Sequence, residues 1–345
     1  MSSGKSGDGT TGNGAPGPGM TGPGMTGPGM TGPGMTGPGM TGPGMTGPGM
    51  TGNDTFGIDH PLVTVRDLDA TCRAWEAMGF SPSPRGFHPW GTANNLVVFP
   101  HDFVELIGIH DPAKVGRATT SDGFSFSGYV ARFLERREGI SMVALHSKDA
   151  PGDAATLNRR GLDCQGLTDF RRAVTLPDGT ADEAVVTLAM LIEDEAPFVS
   201  NFICHQHKPE LVWVPAWQHH ANGCDGILEV TYLSDHPGRL ADRWVRLYSG
   251  NAVRVEADRI EARTPNGRLV GLHPESFAAR FPGITTRPAD ADLPCGVALR
   301  LHTRDVRAAR SCLGAGGVPH IVAAHGTLRI PPEATGGVIL ELAAD

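Results

Sequence analysis

The chain has 345 residues and a formal net charge of −8 at pH 7, a balance that argues against a general nucleic-acid binder, whose footprint is a basic patch. No run of roughly eighteen apolar residues is present to span a membrane, and the N-terminus lacks the apolar core of a secretory signal, so the expected compartment is the cytoplasm. The six cysteines, Cys72, Cys164, Cys204, Cys224, Cys295 and Cys312, form no CxxC pair, which favours free thiols over a disulfide or zinc framework.

Residues 1–53 contain almost no aliphatic side chain, and from Gly19 to Gly52 they repeat Gly-Met-Thr-Gly-Pro. A period of five does not fit the collagen triplet, and so little apolar surface cannot offset chain entropy. This segment reads as a disordered low-complexity tail. Its seven regularly spaced methionines, Met20 to Met50, are read as part of that repeat rather than as a soft-metal site.

Ile58 to Val65 reads as a strand by alternation and β-branching. A helix follows: Asp67 caps it, Leu68, Cys72, Trp75 and Met78 share a face, and Gly79 stops it. Strands are then expected near Phe80 to Arg85, from Asn94 to Phe99, and from Asp102 to Ile109. In the last of these, Phe103, Glu105, Ile107 and Ile109 share one face, because successive side chains of a strand point to opposite sides. Glu105 is therefore a carboxylate on an apolar face, and a buried carboxylate needs a cation, a metal or a proton. His60 is the nearest upstream candidate, on a face expected to hold Ile58, His60, Leu62 and Thr64.

The order strand, helix, strand, strand, strand recurs. A second copy opens with a strand from Gly139 to Asp149 and has a helix through Ala154 to Arg160. Strands at Phe170 to Leu176, Ala184 to Ile192 and Ser200 to His207 complete it. A third opens at Gly226 with a helix through Leu240 to Tyr248. A fourth opens at Gly296, has a helix through Ala308 to Leu313, and closes with Gly337-Val-Ile-Leu-Glu-Leu-Ala. The expected fold class is α+β with four βαβββ modules. The expected domains are the tail (residues 1–53), a domain of modules one and two (54–222) and a domain of modules three and four (223–345).

Ile58-Asp-His, Val65-Arg-Asp-Leu-Asp, Met78-Gly-Phe, His88-Pro-Trp-Gly-Thr-Ala-Asn and Val104-Glu-Leu-Ile-Gly-Ile together resemble the glyoxalase-like branch of the vicinal oxygen chelate superfamily. Phe202-Ile-Cys-His-Gln-His-Lys-Pro-Glu-Leu-Val-Trp and His220-Ala-Asn-Gly resemble the same branch's second signature. The resemblance implies modules paired into two half-open barrels, each a cup able to hold a divalent metal that two substrate oxygens chelate. It implies metal ligands on the first and last strands of the modules, where His60 and Glu105 stand. Aligning Asp149 with Asp67 puts Met142 where another first-strand His would be, so a four-ligand pattern is not reproduced. A third ligand is expected from the last strand of module two, where Ile203, His205 and His207 share a face. His207 fits the signature better, and His205 is the fallback.

The Pro- and Gly-punctuated stretch around His88, Trp90, Thr92 and Asn94 is where binding residues concentrate. Trp90, Thr92 and Asn94 are expected to contact substrate, with Trp90 as an apolar wall, and His88 to act as acid or base. Glu229 and Glu341 have no histidine companion, so modules three and four read as a structural half. The functional expectation is a metal-dependent enzyme, a lyase or isomerase or an extradiol-type dioxygenase, acting on a small vicinal-oxygen substrate. Fe, Mn, Zn or Ni would be its cofactor, and a homodimer is compatible with it. The alternative is a non-catalytic protein that sequesters a small or drug-like molecule.

Overall fold

The structure, a computed structural model, describes residues 56–284 and 292–344; the expected repeat tail lies outside the described residues. Module one is β1 (Ile58–Thr64), α1 (Leu68–Ala77), β2 (Gly86–Phe87), β3 (Thr92–Val98) and β4 (Phe103–Ile109). A linking helix, α2 (Phe126–Arg136), leads to module two: β5 (Gly139–Ser147), α3 (Ala150–Arg159), β6 (Leu167–Thr175), β7 (Ala181–Leu191) and β8 (Asn201–Gln206). Module three is β9 (Cys224–Leu233), α4 (Arg239–Tyr248), β10 (Val253–Val255), β11 (Arg259–Thr264) and β12 (Gly267–Leu272). After α5 (Pro274–Arg280), module four is β13 (Cys295–Thr303), α6 (Val306–Ala315), β14 (Ile321–Val322), β15 (Leu328–Ile330) and β16 (Ile339–Ala343). No helix among the described residues is long and apolar enough to cross a membrane.

Modules one and two build an eight-stranded sheet of order β2-β3-β4-β1-β5-β8-β7-β6, and modules three and four repeat it as β10-β11-β12-β9-β13-β16-β15-β14. In each module the first strand runs parallel to the last, and the two first strands of a pair meet antiparallel at the centre. The first sheet curls until its edge strands β2 and β6 lie against each other, giving a nearly closed barrel. The second sheet stays open.

The helices of all four modules are buried against the strands in one continuous core, which includes Trp75 of α1, Leu157 of α3, Trp244 of α4 and Leu313 of α6. α1 forms because Asp67 accepts from the Ala70 N–H at 2.8 Å, satisfying a helix-end donor that would otherwise be orphaned. Its apolar stripe then buries Leu68, Cys72 and Trp75, and the Trp75 indole donates to Thr335 O at 3.1 Å, joining module one to module four. Gly79 ends the helix with φ +86; a Cβ there would stand 2.7 Å from Cys312 Sγ. His220 and Asn222 anchor the segment between the two sheets to module one. His220 accepts from the Ser81 N–H at 3.1 Å and donates to Val98 O at 3.0 Å, and Asn222 donates to Met78 O at 3.0 Å.

Three local expectations change. The second strand is confined to Gly86–Phe87, because Pro82 and Pro84 have no N–H to donate to a ladder. Ile58 does not share the face of His60 and Leu62, since the register shifts between Ile58 and His60 and turns Ile58 into the helix-side core. Helix α2 was not anticipated, although Ser125 caps it and Phe126, Tyr129, Val130 and Phe133 follow helical spacing.

Candidate metal and substrate site

The concave side of the first sheet is lined by apolar side chains from β1, β4, α2 and β5 to β8, among them Leu62, Ile107, Phe126, Met142, Phe170 and Phe202. Into this lining β1 projects His60 and β4 projects Glu105, 4 % and 5 % exposed. Their strands are neighbours, and His60 Nε2 lies 3.3 Å from Glu105 Oε2. On the other ring nitrogen, His60 Nδ1 lies 2.5 Å from Asp59 Oδ1. The register shift beside Asp59 lets two adjacent residues of one strand meet in this way. Phe103 stacks on the imidazole at 4.1 Å between ring centroids, fixing its plane.

Burial alone would make His60 a weaker base, but the hydrogen bonds and charges of Asp59 and Glu105 outweigh it and raise its pKa to about 9. Burial pushes the other way on Glu105, and the bond to His60 still holds that carboxyl below its ordinary range. Asp59 is likewise held low against its burial, chiefly by His146, whose Nδ1 stands 2.6 Å from Asp59 Oδ2. Two carboxylates flanking one imidazole require a positive charge between them. A proton or a metal ion supplies it.

The His88 to Asn94 turn closes the cavity from β2 and β3. Gly91, at φ +95, makes the turn and accepts from the His110 and Asp111 N–H groups through its carbonyl. His88 stacks on Trp90 at 5.0 Å, and the Thr92 hydroxyl accepts from Trp90 Nε1 at 2.9 Å while sharing a 2.8 Å hydrogen bond with His88 Nδ1. Burial lowers the His88 pKa to about 4, so this ring is neutral, with Nε2 3.9 Å from Glu105 Oε1. Asn94 donates to Glu105 Oε1.

His60, His88, Trp90, Asn94 and Glu105 thus line one cavity of about 40 Å³. Thr92 does not line it; its hydroxyl is used in holding His88 and Trp90. The structure does not bring His207 to this group. Shared parity says which residues of a strand go together but not to which side, and on β8 it is Cys204 and Gln206 that face the cavity. His207 is exposed on the opposite face, its ring 3.9 Å from that of His205 and tilted to it, and 2.7 Å from Thr187 Oγ1, in a separate cleft with Asp149 and Asp169. Sequence reasoning also missed Asp59, Cys204 and Arg172. Cys204 and Asp59 stand inside the quoted motifs, but only three-dimensional register assigns them to the cavity.

Asp59, His60 and Cys204 place one ligand atom each within 4.8 Å of one another, a candidate metal-binding set of three. The His60 and Glu105 atoms also fit an ion: two ligands each about 2.1 Å from a tetrahedral centre stand about 3.4 Å apart. Asp59 then has the place of the carboxylate that usually fixes a ligand histidine's free ring nitrogen. A second cavity, of about 500 Å³, shares the wall made by Cys204 and Gln206 and is lined further by Asp59, His101, His146, Lys148 and Trp213.

The strand pairings show how the two sheets differ at the ligand positions. Leu62, Ala144 and Arg300, equivalent through the capping aspartates Asp67, Asp149 and Asp305, pair with Glu105, Phe202 and Glu341. The first cup therefore offers His60 and Glu105 at ligand positions but Met142 and Phe202 from module two. In the second, Glu229 and Glu341 occupy such positions and are bridged by Arg280, with Arg268 2.7 Å from Glu229 and Arg329 2.8 Å from Glu341.

The glyoxalase-like domain family profile matches residues 58–248, the whole first sheet and the opening strand and helix of the second. The chain belongs to this family, within the vicinal oxygen chelate superfamily. Among solved structures, a hypothetical protein from Staphylococcus aureus aligns with a TM-score of 0.59 at 11% identity, covering 83% of this chain and 97% of its own. A triple mutant of 4-hydroxymandelate synthase from Streptomyces coelicolor aligns with a TM-score of 0.50 at 12% identity, covering 84% and 92%. These similarities concern the fold. No curated protein sequence matches the chain.

Proposed function

We propose that the protein is a metal-dependent enzyme whose first cup binds a small vicinal-oxygen substrate at an ion held by His60 Nε2 and Glu105. The observation that carries this reading is the buried Asp59–His60–Glu105 line, which needs a cation at its centre and faces a cavity rather than packed apolar side chains. With only two protein ligands at the family positions, other coordination places are left for substrate oxygens. When bound, a divalent ion such as Fe, Mn, Zn or Ni would supply Lewis-acid and templating chemistry.

The chain's own residues then have distinct tasks. Asp59 holds the His60 ring in place through Nδ1, and Asn94 orients Glu105. His88, neutral and fixed by Thr92, is placed to take or return a proton at Nε2. Trp90, Phe126 and Phe170 exclude water from one side. The larger outer cavity accepts the body of a substrate whose polar head reaches inward. Lyase or isomerase and dioxygenase chemistries both suit this arrangement, and oxygen consumption separates them.

A second placement of the ion, among Asp59, His60 and Cys204, is favoured by their mutual distances. Competition titration with Mn²⁺ and Zn²⁺ distinguishes the two. Our reading expects Glu105→Ala to weaken both ions at least tenfold and Cys204→Ser to change them less than threefold. The opposite ranking would move the ion to the Cys204 side. If neither ion binds the wild type, the non-catalytic small-molecule binder becomes the better account.

A further inference from the structure

Two polar groups at the inner cavity have no partner among the described residues, and they are chemically complementary. Arg172, on β6, lines the cavity and is largely buried, which lowers its pKa. Among the described residues no carboxylate stands within ion-pair distance of its guanidinium, and it makes no hydrogen bond; Glu105 and Cys204 only feel its charge. Its sequence neighbour Arg171, on the outer face, pairs with Glu183 at 3.0 Å. The second orphan is Asn94 Oδ1, buried with no hydrogen-bond donor, while the same side chain's Nδ2 is used on Glu105. Both groups surround Gly86: a Cβ there would stand 3.0 Å from Arg172 Nη1 and 2.4 Å from Asn94 Oδ1. The missing side chain keeps this corner clear.

A buried acceptor without a donor is costly, and a largely buried guanidinium without an anion adds to that cost. Such groups are retained where a ligand completes them. The guanidinium fork matches a carboxylate, and the carbonyl oxygen of Asn94 matches a hydroxyl donor beside it. At about 40 Å³ the cavity admits only a small group.

We propose that the first cup selects a small 2-hydroxycarboxylate head group, Arg172 taking the carboxylate and Asn94 Oδ1 the adjacent hydroxyl. The inference rests on the first cup being the substrate site, but not on its metal. Arg172 and Asn94 are specificity residues in this account.

The test uses the full chain, stripped of metal with chelator, and follows Trp fluorescence or heat on titration with glycolate and with its neutral amide, glycolamide. Glycolate is expected to bind the wild type at least tenfold more tightly than glycolamide. Arg172→Gln should bring the two within twofold, and Arg172→Lys should keep part of the preference. Acetate, which lacks the hydroxyl, should bind several-fold more weakly than glycolate. Equal binding of glycolate and glycolamide to the wild type overturns the proposal, and so does an undiminished preference in Arg172→Gln. The wild-type comparison decides even where a variant does not fold. Glycolate preference in a protein that takes up no ion would retire the metal while keeping this inference; metal uptake without the preference would do the reverse.

Discussion

The two cups of this protein are copies of one architecture that have used the same positions for opposite ends. In the second, acidic side chains at ligand positions, Glu229 and Glu341, meet Arg268, Arg280 and Arg329, so every buried negative charge is matched from within the chain. In the first, His60 and Glu105 face a cavity, and among the described residues Asn94 Oδ1 has no donor and Arg172 no anion. A satisfied polar cluster stabilises. In the proposed reading, the unsatisfied one is completed by a ligand.

The comparison is broken most easily at Arg280. Replacing it with Ala removes the cation the two buried carboxylates share, while Arg268 stays on Glu229 and Arg329 on Glu341, and should cost about 3 kcal/mol of unfolding free energy in denaturant titration for the two charge-assisted hydrogen bonds lost. A loss below about 1 kcal/mol would mean that the second cup is not held by this bridge. The next effect is a pH dependence from His220, which anchors the segment between the sheets to module one. Burial lowers its pKa to about 4 from an ordinary 6.5, so the unfolded chain binds a proton that the folded one refuses. Stability is present above pH 6.5 and falls as pH drops toward 4, by roughly 3 kcal/mol at most for this one group. His220→Gln should flatten the slope in that window, measured as Tm against pH; an unchanged slope would assign it to other groups such as His88.

Gly91 sharpens the comparison from the first cup's side. Its φ of +95 and the closeness of Asp111 O, 2.7 Å from where a Cβ would be, make Gly91→Ala cost about 2 kcal/mol and displace the His88–Trp90 stack. Near-ultraviolet circular dichroism reads that displacement. The smallest loss belongs to Arg172, whose replacement by Gln should leave stability unchanged or raise it, since no partner among the described residues loses a bond and an unpaired charge is removed. A large loss there would place Arg172 with the structural arginines of the other cup.

Much of this difference was legible in the sequence, and the rest has identifiable reasons for being hidden. The repeat shows because Asp67, Asp149 and Asp305 each cap the helix after an alternating strand; module three blurs it, since Gly238 stands at its helix start and makes no side-chain cap. Glu105 announces itself as a carboxylate on an apolar face, and His60 as its partner. Ile58 was misplaced and Asp59 missed because a register shift cannot be seen in alternation. His207 illustrates the matching ambiguity, in which parity groups residues without choosing a side. Arg172 and Arg280 lie 67 and 51 residues from the acids whose charge they feel, Glu105 and Glu229, and no local pattern connects them.

The central claim is that the first cup alone holds a metal ion. The most direct measurement is the metal content, by mass spectrometry, of protein purified without a metal-affinity tag, beside His60→Ala and Glu229→Gln. The account predicts one equivalent of a divalent transition metal per chain, lost in His60→Ala and kept in Glu229→Gln. Wild-type protein that takes up no metal even after reconstitution, or metal that survives His60→Ala, would contradict it.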